Sequence, residues 1–204
     1  EDKTKMNVSQ VIVKILEREG ITDAFGIPGA GINGLYKYMA ESKIRHYTHR
    51  HEECCVHAAG GYFRASGRMA VALCTSGPGA TNFVTGIYTC NIDSIPVLAI
   101  TGQAVRAQLG LDAFQCVDIA KIAAPVAKRT WQITEPEKVP GIMREAFLTA
   151  RSGKPGPVLI DLPLDVQNAD IDYDPDTYVP ASYDVPAPDM DKIRQALDMI
   201  SAAK

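Results

Sequence analysis

The sequence predicts an α/β domain: an open parallel sheet of about six strands with helices on both faces. Three observations predict it. Short apolar runs such as Met69 to Cys74 and Ile95 to Thr101 alternate with helix-spaced stretches. Two glycine-rich turns, Gly26-Ile-Pro-Gly-Ala-Gly31 and Thr75-Ser-Gly-Pro-Gly-Ala-Thr-Asn82, each lie between a strand-like run and a helix-like one. Apolar residues make up 46% of the 204, so a full core is available without disulfides.

The elements follow in order. Val8 to Glu19 carries apolar residues at 8, 11, 12, 15 and 16, which is helical spacing, and Gly20 ends it. Strand 23–27 leads into the first turn, helix 33–41 follows, and 44–48 is a short strand. Helix 52–65 is rich in small residues (Ala58, Ala59, Gly60, Gly61) that admit a close neighbour, and Gly67 stops it. Strand 69–74, the second turn, helix 80–90 and strand 95–101 come next. A polar connection spans 104–116, then a short helix 117–123, a strand-like run 126–133, a helix 136–151 and a last strand 158–162. From this we expect a first domain at 1–168. Residues 169–188, with Pro175, Pro180, Pro186, Pro188 and five Asp, read as an extended linker. Residues 189–204, capped by Asp189 or Asp191, read as the first helix of a further, truncated domain.

Composition narrows the partners. The net charge is −3 and no Lys/Arg run occurs, which argues against nucleic acid. No apolar stretch reaches membrane length and no signal-peptide pattern opens the chain. Five cysteines at 54, 55, 74, 90 and 116 form no CxxC pair, so a reduced, cytoplasmic protein is expected. Cys54, Cys55 and His57 make a poor metal set because adjacent helix residues point apart.

In a parallel sheet the ends of strands 23–27, 44–48 and 69–74 share one edge, where open α/β sheets bind ligands. Glu52 opens the helix between the two turns, so a buried acid is expected beside backbone that a ligand can approach. Taken alone, Glu52 could equally be a helix-end carboxylate favoured by the macrodipole. Glu53 points roughly 100° away around the helix. His51 reads evenly as a solvated loop residue or a site residue, and Phe114-Gln115 as core packing or a substrate wall. The first turn is Gly-x-x-Gly-x-Gly, not the dinucleotide Gly-x-Gly-x-x-Gly, and no phosphate-loop Gly-Lys-Ser/Thr occurs.

Further blocks stand in order: Arg50-His-Glu52, Asp93-Ser-Ile-Pro-Val97, Ile100-Thr-Gly-Gln103, Phe114-Gln-Cys-Val-Asp118, Lys154-Pro-Gly-Pro-Val158 and Asp161-Leu-Pro-Leu-Asp165. With the two turns, they make residues 7 to 168 resemble the N-terminal pyrimidine-binding domain of thiamine-diphosphate enzymes of the acetolactate synthase group. Ala30-Gly-Ile-Asn33, Arg106-Ala107, Arg151-Ser-Gly-Lys-Pro-Gly-Pro157 and Asp174-Pro-Asp-Thr-Tyr178 make it most similar to glyoxylate carboligases. Those enzymes characteristically carry an aliphatic residue where this chain has Glu52, while most of the group carries Glu. Gly60, where the family often has an acid, is a smaller departure.

The resemblance implies a 2-oxo acid decarboxylase and carboligase. First choice is two glyoxylates giving tartronate semialdehyde and CO2; the alternative is acetolactate synthase. It implies that Glu52 hydrogen-bonds the aminopyrimidine of thiamine diphosphate and is the catalytic residue, helped by a pKa raised through burial. Pro78 and Gly79 would pack on the pyrimidine, with Thr75 and Asn82 near it. Pro28 and Gly29 would line the facing wall, and Ala30, Phe114 and Gln115 the substrate side. Diphosphate and Mg2+ would be held by a Gly-Asp-Gly motif that this chain lacks, in a C-terminal domain of a second subunit of a homodimer or homotetramer. Without that half, the chain alone is expected to be inactive. FAD, held by relatives mainly through a middle domain, stays open for the full-length enzyme. Two readings of other classes are a non-catalytic dimerisation or ligand-binding module and a nucleotide-binding α/β domain.

Overall fold

The computed structural model describes residues 5–183 and 185–203. In chain order the helices and strands are β1 (Lys5–Asn7), α1 (Val8–Arg18), β2 (Asp23–Gly26), α2 (Asn33–Ala40), β3 (Arg45–Thr48), α3 (Glu52–Ser66), β4 (Val71–Cys74), α4 (Pro78–Thr81), α5 (Phe83–Ile92), β5 (Leu98–Gln103), α6 (Ile119–Ala123), β6 (Arg129–Gln132), α7 (Val139–Arg151), β7 (Val158–Pro163), α8 (Leu164–Gln167), β8 (Asp170–Asp172) and α9 (Met190–Ala202). Six strands form one parallel sheet in the order β3-β2-β4-β5-β7-β6.

Every residue of β2, β4, β5 and β7 is buried. That is why β4 and β5 read as unbroken apolar runs: a parallel strand covered on both faces has no polar side to show. Side chains still alternate, with period two, between two cores. Leu73, Ile100 and Ile160 meet α1, α2 and α7 through Val11, Leu16, Leu35 and Phe147. Ala72, Cys74, Ala99 and Leu159 meet α3, α5 and α6 through Val56, Phe83, Ile87 and Ile119. Phe83 and Phe147 are fully buried, and truncating either to Ala would cost ~3–5 kcal/mol.

The sheet reverses direction at its second strand. From β2 the chain moves outward to β3, then returns to the other side of β2 for β4 and continues to β5. The switch point therefore lies between the carboxyl ends of β2 and β4, and both glycine-rich turns sit there.

Several boundaries differ from expectation. Helix 80–90 is two helices, α4 and α5, meeting at Asn82. A single 3₁₀ turn at Pro136–Lys138 precedes α7, and strand 126–133 shortens to β6. Two strands were not expected at all. β1 and β8 pair antiparallel, with Lys5 opposite Asp172 and Met6 opposite Ile171. At three residues each they carry no readable period. The stretch after residue 168 also packs more than a linker would. Ile171 and Tyr178 are buried. Tyr178 Oη and the Ala181 amide donate to Glu19 Oε1 at 2.6 and 2.8 Å, and Arg151 Nη1 donates to Glu19 Oε2 at 2.5 Å. Asp189 caps α9, accepting from the amides of Asp191 and Lys192, and α9 buries none of its residues.

Candidate functional site

Four segments converge on the switch point: the turn after β2 (27–32), the first turn of α3, the turn after β4 (75–77) with α4, and the loop 104–117. Glu52 is brought there because β3 lies beside β2 and ends level with it, Thr48 opposite Gly26. His51 is the N-cap of α3, its Nδ1 accepting from the Glu53 amide at 3.3 Å. The accepting Nδ1 leaves the ring proton of the neutral imidazole on Nε2. The side chains of Glu52 and Glu53 then part. Glu53 lies 3.3 Å from His57 Nε2. Glu52 turns to the second glycine turn, where Asn82 Nδ2 donates to its Oε2 at 2.9 Å. Among the described residues Oε1 accepts no hydrogen bond.

Glu52 is half-buried rather than buried, because its edge of the sheet is open. Its charge is nonetheless felt by its neighbours. Burial first, and then the Glu52 carboxylate, pushes the Cys55 thiol up to about 12 and the Cys74 thiol well above its ordinary range. Both are inert thiols packed as small hydrophobes. Cys55 is buried, while Cys54 and His57, three residues apart on α3, are exposed.

The second turn needs its glycines. Gly77 has φ +60° and ψ −124°, a region closed to side chains, and a Cβ there would lie 2.7 Å from Gln115 Cβ. A Cβ on Gly79 would lie 3.2 Å from both Glu52 Oε1 and Thr75 Cγ2, filling the space beside the acid. Thr75 ties the two turns together, its hydroxyl accepting from the Gly31 amide at 3.0 Å, and Gly29 packs directly on it. Pro28, Ala30 and Pro78 are exposed along the rim. Phe114 is 88% exposed, and Gln115, at φ +53°, rests on Gly77. All ten expected site residues thus lie along one edge. Phe114 is not core packing.

One cluster at this end escaped the sequence reading. Asp161, fully buried on β7, accepts from Thr101 Oγ1 (2.8 Å), Gln103 Nε2 (3.0 Å) and Gln132 Nε2 (2.9 Å). Burial pushes its carboxyl up to about 6, against the pull of those three donors. The signal was present: an acid inside an otherwise apolar buried strand must have buried donors around it.

Residues 6–122 match the family model described as thiamine pyrophosphate enzyme, N-terminal TPP binding domain. The chain is 47% identical to a glyoxylate carboligase of Escherichia coli O157:H7 over 98% of its own length and 34% of the relative's. It is 51% identical to an acetolactate synthase of Arthrospira platensis over 80% of its length and 29% of that protein. It is 44% identical to an acetolactate synthase large subunit of Corynebacterium glutamicum over 98% of its length and 32% of that protein. The chain thus spans about a third of the length of these curated relatives. With a parallel sheet whose switch point gathers both glycine turns around one acid, the chain belongs to the thiamine pyrophosphate enzyme family, as its N-terminal TPP binding domain.

Proposed function

We propose that this chain is the pyrimidine-binding half of a 2-oxo acid decarboxylase and carboligase, with Glu52 as its catalytic residue. The observation that carries this is the Glu52 carboxyl itself: Asn82 holds one oxygen, and the other, beside Gly79, accepts nothing among the described residues. A ring nitrogen of an aminopyrimidine is the kind of partner that this free oxygen can take. Thiamine diphosphate, when bound, supplies the electron sink for losing CO2 from a 2-oxo acid. The chain's own residues do the rest of this half. Glu52 Oε1 holds or takes a proton at a ring nitrogen, Asn82 fixes the acid's orientation, and Gly79 and Thr75 shape the face on which the ring lies. Pro28, Gly29 and Pro78 form the rim. Phe114 and Gln115 bound the side where the substrate enters.

Diphosphate and Mg2+ belong on a domain outside this chain, contributed by a second subunit of a homodimer or homotetramer. Whether FAD accompanies them is set by a middle domain. Five cysteines, all free among the described residues, fit a cytoplasmic setting. No helix among the described residues is long and apolar enough to cross a membrane. Glyoxylate is the first choice of substrate, supported by the 47% identity that runs almost the whole chain. Pyruvate, as in acetolactate synthases, is the second reading, and the Glu52 that glyoxylate carboligases characteristically lack favours it.

In the full-length protein, Glu52→Gln should slow hydrogen–deuterium exchange at the thiazolium carbon by about two to four orders of magnitude, the range of a positioned acid–base group. Glu53→Gln should change it little. Exchange at the wild-type rate in Glu52→Gln would reduce Glu52 to a helix-end carboxylate. Product analysis with glyoxylate and pyruvate in competition separates the two substrates.

A further inference from the structure

The loop 104–117 carries Phe114 and Gln115 to the site, yet it holds little regular structure beyond a single 3₁₀ turn at Arg106–Gln108. Its position is set at its base. Gln103, the last residue of β5 and 1% exposed, uses both ends of its amide there. Its Oε1 accepts from the amide of Ala104, where the loop begins, at 2.9 Å. Its Nε2 donates to the carbonyl of Val117, where the loop ends, at 2.6 Å. The same Nε2 donates to Asp161 Oδ2 at 3.0 Å. Asp161 cannot swing away, because Thr101 and Gln132 hold it from the flanking strands β5 and β6. Two buried polar side chains inside an apolar sheet would be costly unless fully paired, and here the pairing spans both ends of one loop.

We propose that Gln103, locked by Asp161, is a positioning residue that clamps the two ends of loop 104–117 and so places Phe114 and Gln115 on the substrate side of the site. The substrate half of this inference rests on the function proposed above; the clamp does not. Gln115 in turn leans on Gly77, so the clamp fixes the loop against the turn that bears Pro78 and Gly79. Gln132 gives a matched control. It also donates one amide hydrogen bond to Asp161 Oδ2, but to nothing in the loop.

The test uses the full-length protein with Gln103→Met and Gln132→Met. Amide hydrogen exchange, read by mass spectrometry without cofactor or substrate, should quicken about tenfold or more across 104–117 in Gln103→Met, the scale of two lost hydrogen bonds. In Gln132→Met the loop should exchange within about twofold of wild type. A loop equally protected in all three proteins, or equally loosened in both variants, overturns the clamp. The second arm is kinetic. Gln103→Met should raise the KM for the 2-oxo acid about tenfold, while exchange at the thiazolium carbon stays within about threefold of wild type. If the KM stays at the wild-type value, or if exchange at the thiazolium carbon slows about tenfold as well, the assignment to the substrate side is overturned. A wild-type protein that binds no thiamine diphosphate would defeat the function proposed above, and the exchange arm would still decide the clamp.

Discussion

Asp161 makes the stability of this domain depend on pH in an unusual direction. Its carboxyl is fully buried and faces three neutral donors and no cation. Burial raises its pKa from the ordinary 3.8 to about 6, and nearby Asp118 adds to the rise. The folded state therefore holds this proton more tightly than the unfolded chain. The resulting stability is fully present below about pH 3.8 and is lost as the pH rises through about 6. Each tenfold difference in proton affinity is worth about 1.4 kcal/mol, so the ionised form costs the fold about 3 kcal/mol at high pH. Roughly 2 kcal/mol of this is lost between about pH 4.5 and 7.5. Asp161→Asn removes the titration and leaves the other ionisable groups in place. Urea unfolding of both proteins at steps across that range should show the variant gaining on wild type by roughly 2 kcal/mol as the pH rises. The variant's absolute stability matters less, since its amide must face the amides of Gln103 and Gln132. A difference between the two proteins that stays flat with pH would refute the argument and mean that Asp161 is ionised in the fold at no cost.

Three further outcomes can be checked. Gly77→Ala should destabilise the domain by at least about 2 kcal/mol, from forbidden backbone and a clash with Gln115, and should loosen loop 104–117 in hydrogen exchange. Glu19→Ala takes the carboxylate from Arg151, leaving it the residue 19 carbonyl, and leaves Tyr178 without its acceptor. A loss of about 3 kcal/mol in urea unfolding is expected, together with faster proteolysis after residue 172. Tyr88 and Ile92, one turn apart on α5, are 53% and 58% exposed, an apolar stripe of the kind that seeks a partner. Sedimentation velocity should find self-association at high concentration that Tyr88→Asp and Ile92→Asp together reduce, and a monomer throughout would count against a subunit contact on this face.

The sheet was legible in the sequence because its strands are short, wholly buried and separated by glycine turns and periodic helices. All six strands of the parallel sheet fall on expected runs, with ends shifted by up to three residues. The strand order was not legible, since nothing local in β2 says that β4 will return beside it. β1 and β8 were missed because three residues cannot display a period, and their pairing joins segments more than 160 residues apart. At the site, the turn residues announced themselves by composition. The half-burial of Glu52 did not, because it depends on how open the sheet edge is. Asn82 was expected inside a single helix 80–90; it occupies the joint between α4 and α5, one turn past Pro78, where its side chain reaches Glu52. Gln103 and Asp161 appeared only as parts of sequence blocks, for the pairing of strands β5 and β7 is what brings them into contact.

The two glycine turns belong to different halves of the molecule's interior. The first runs into α2, which is seated against α1 and α8; the second runs through α4 into α5, which is seated against α3 and α6. Between them the Thr75 hydroxyl is the hydrogen-bonded stitch, meeting the Gly31 amide. The space beside Glu52 lies within the second of these halves, since α3 carries the acid and α4 the glycine, and the Thr75 hydroxyl ties it to the first turn. α3 and α5 approach closely because Gly86 has no side chain: a Cβ there would lie 2.6 Å from Val56 Cβ. A larger residue at Gly86 would therefore push α3 from α5 and shift the acid against the glycine, without itself touching either.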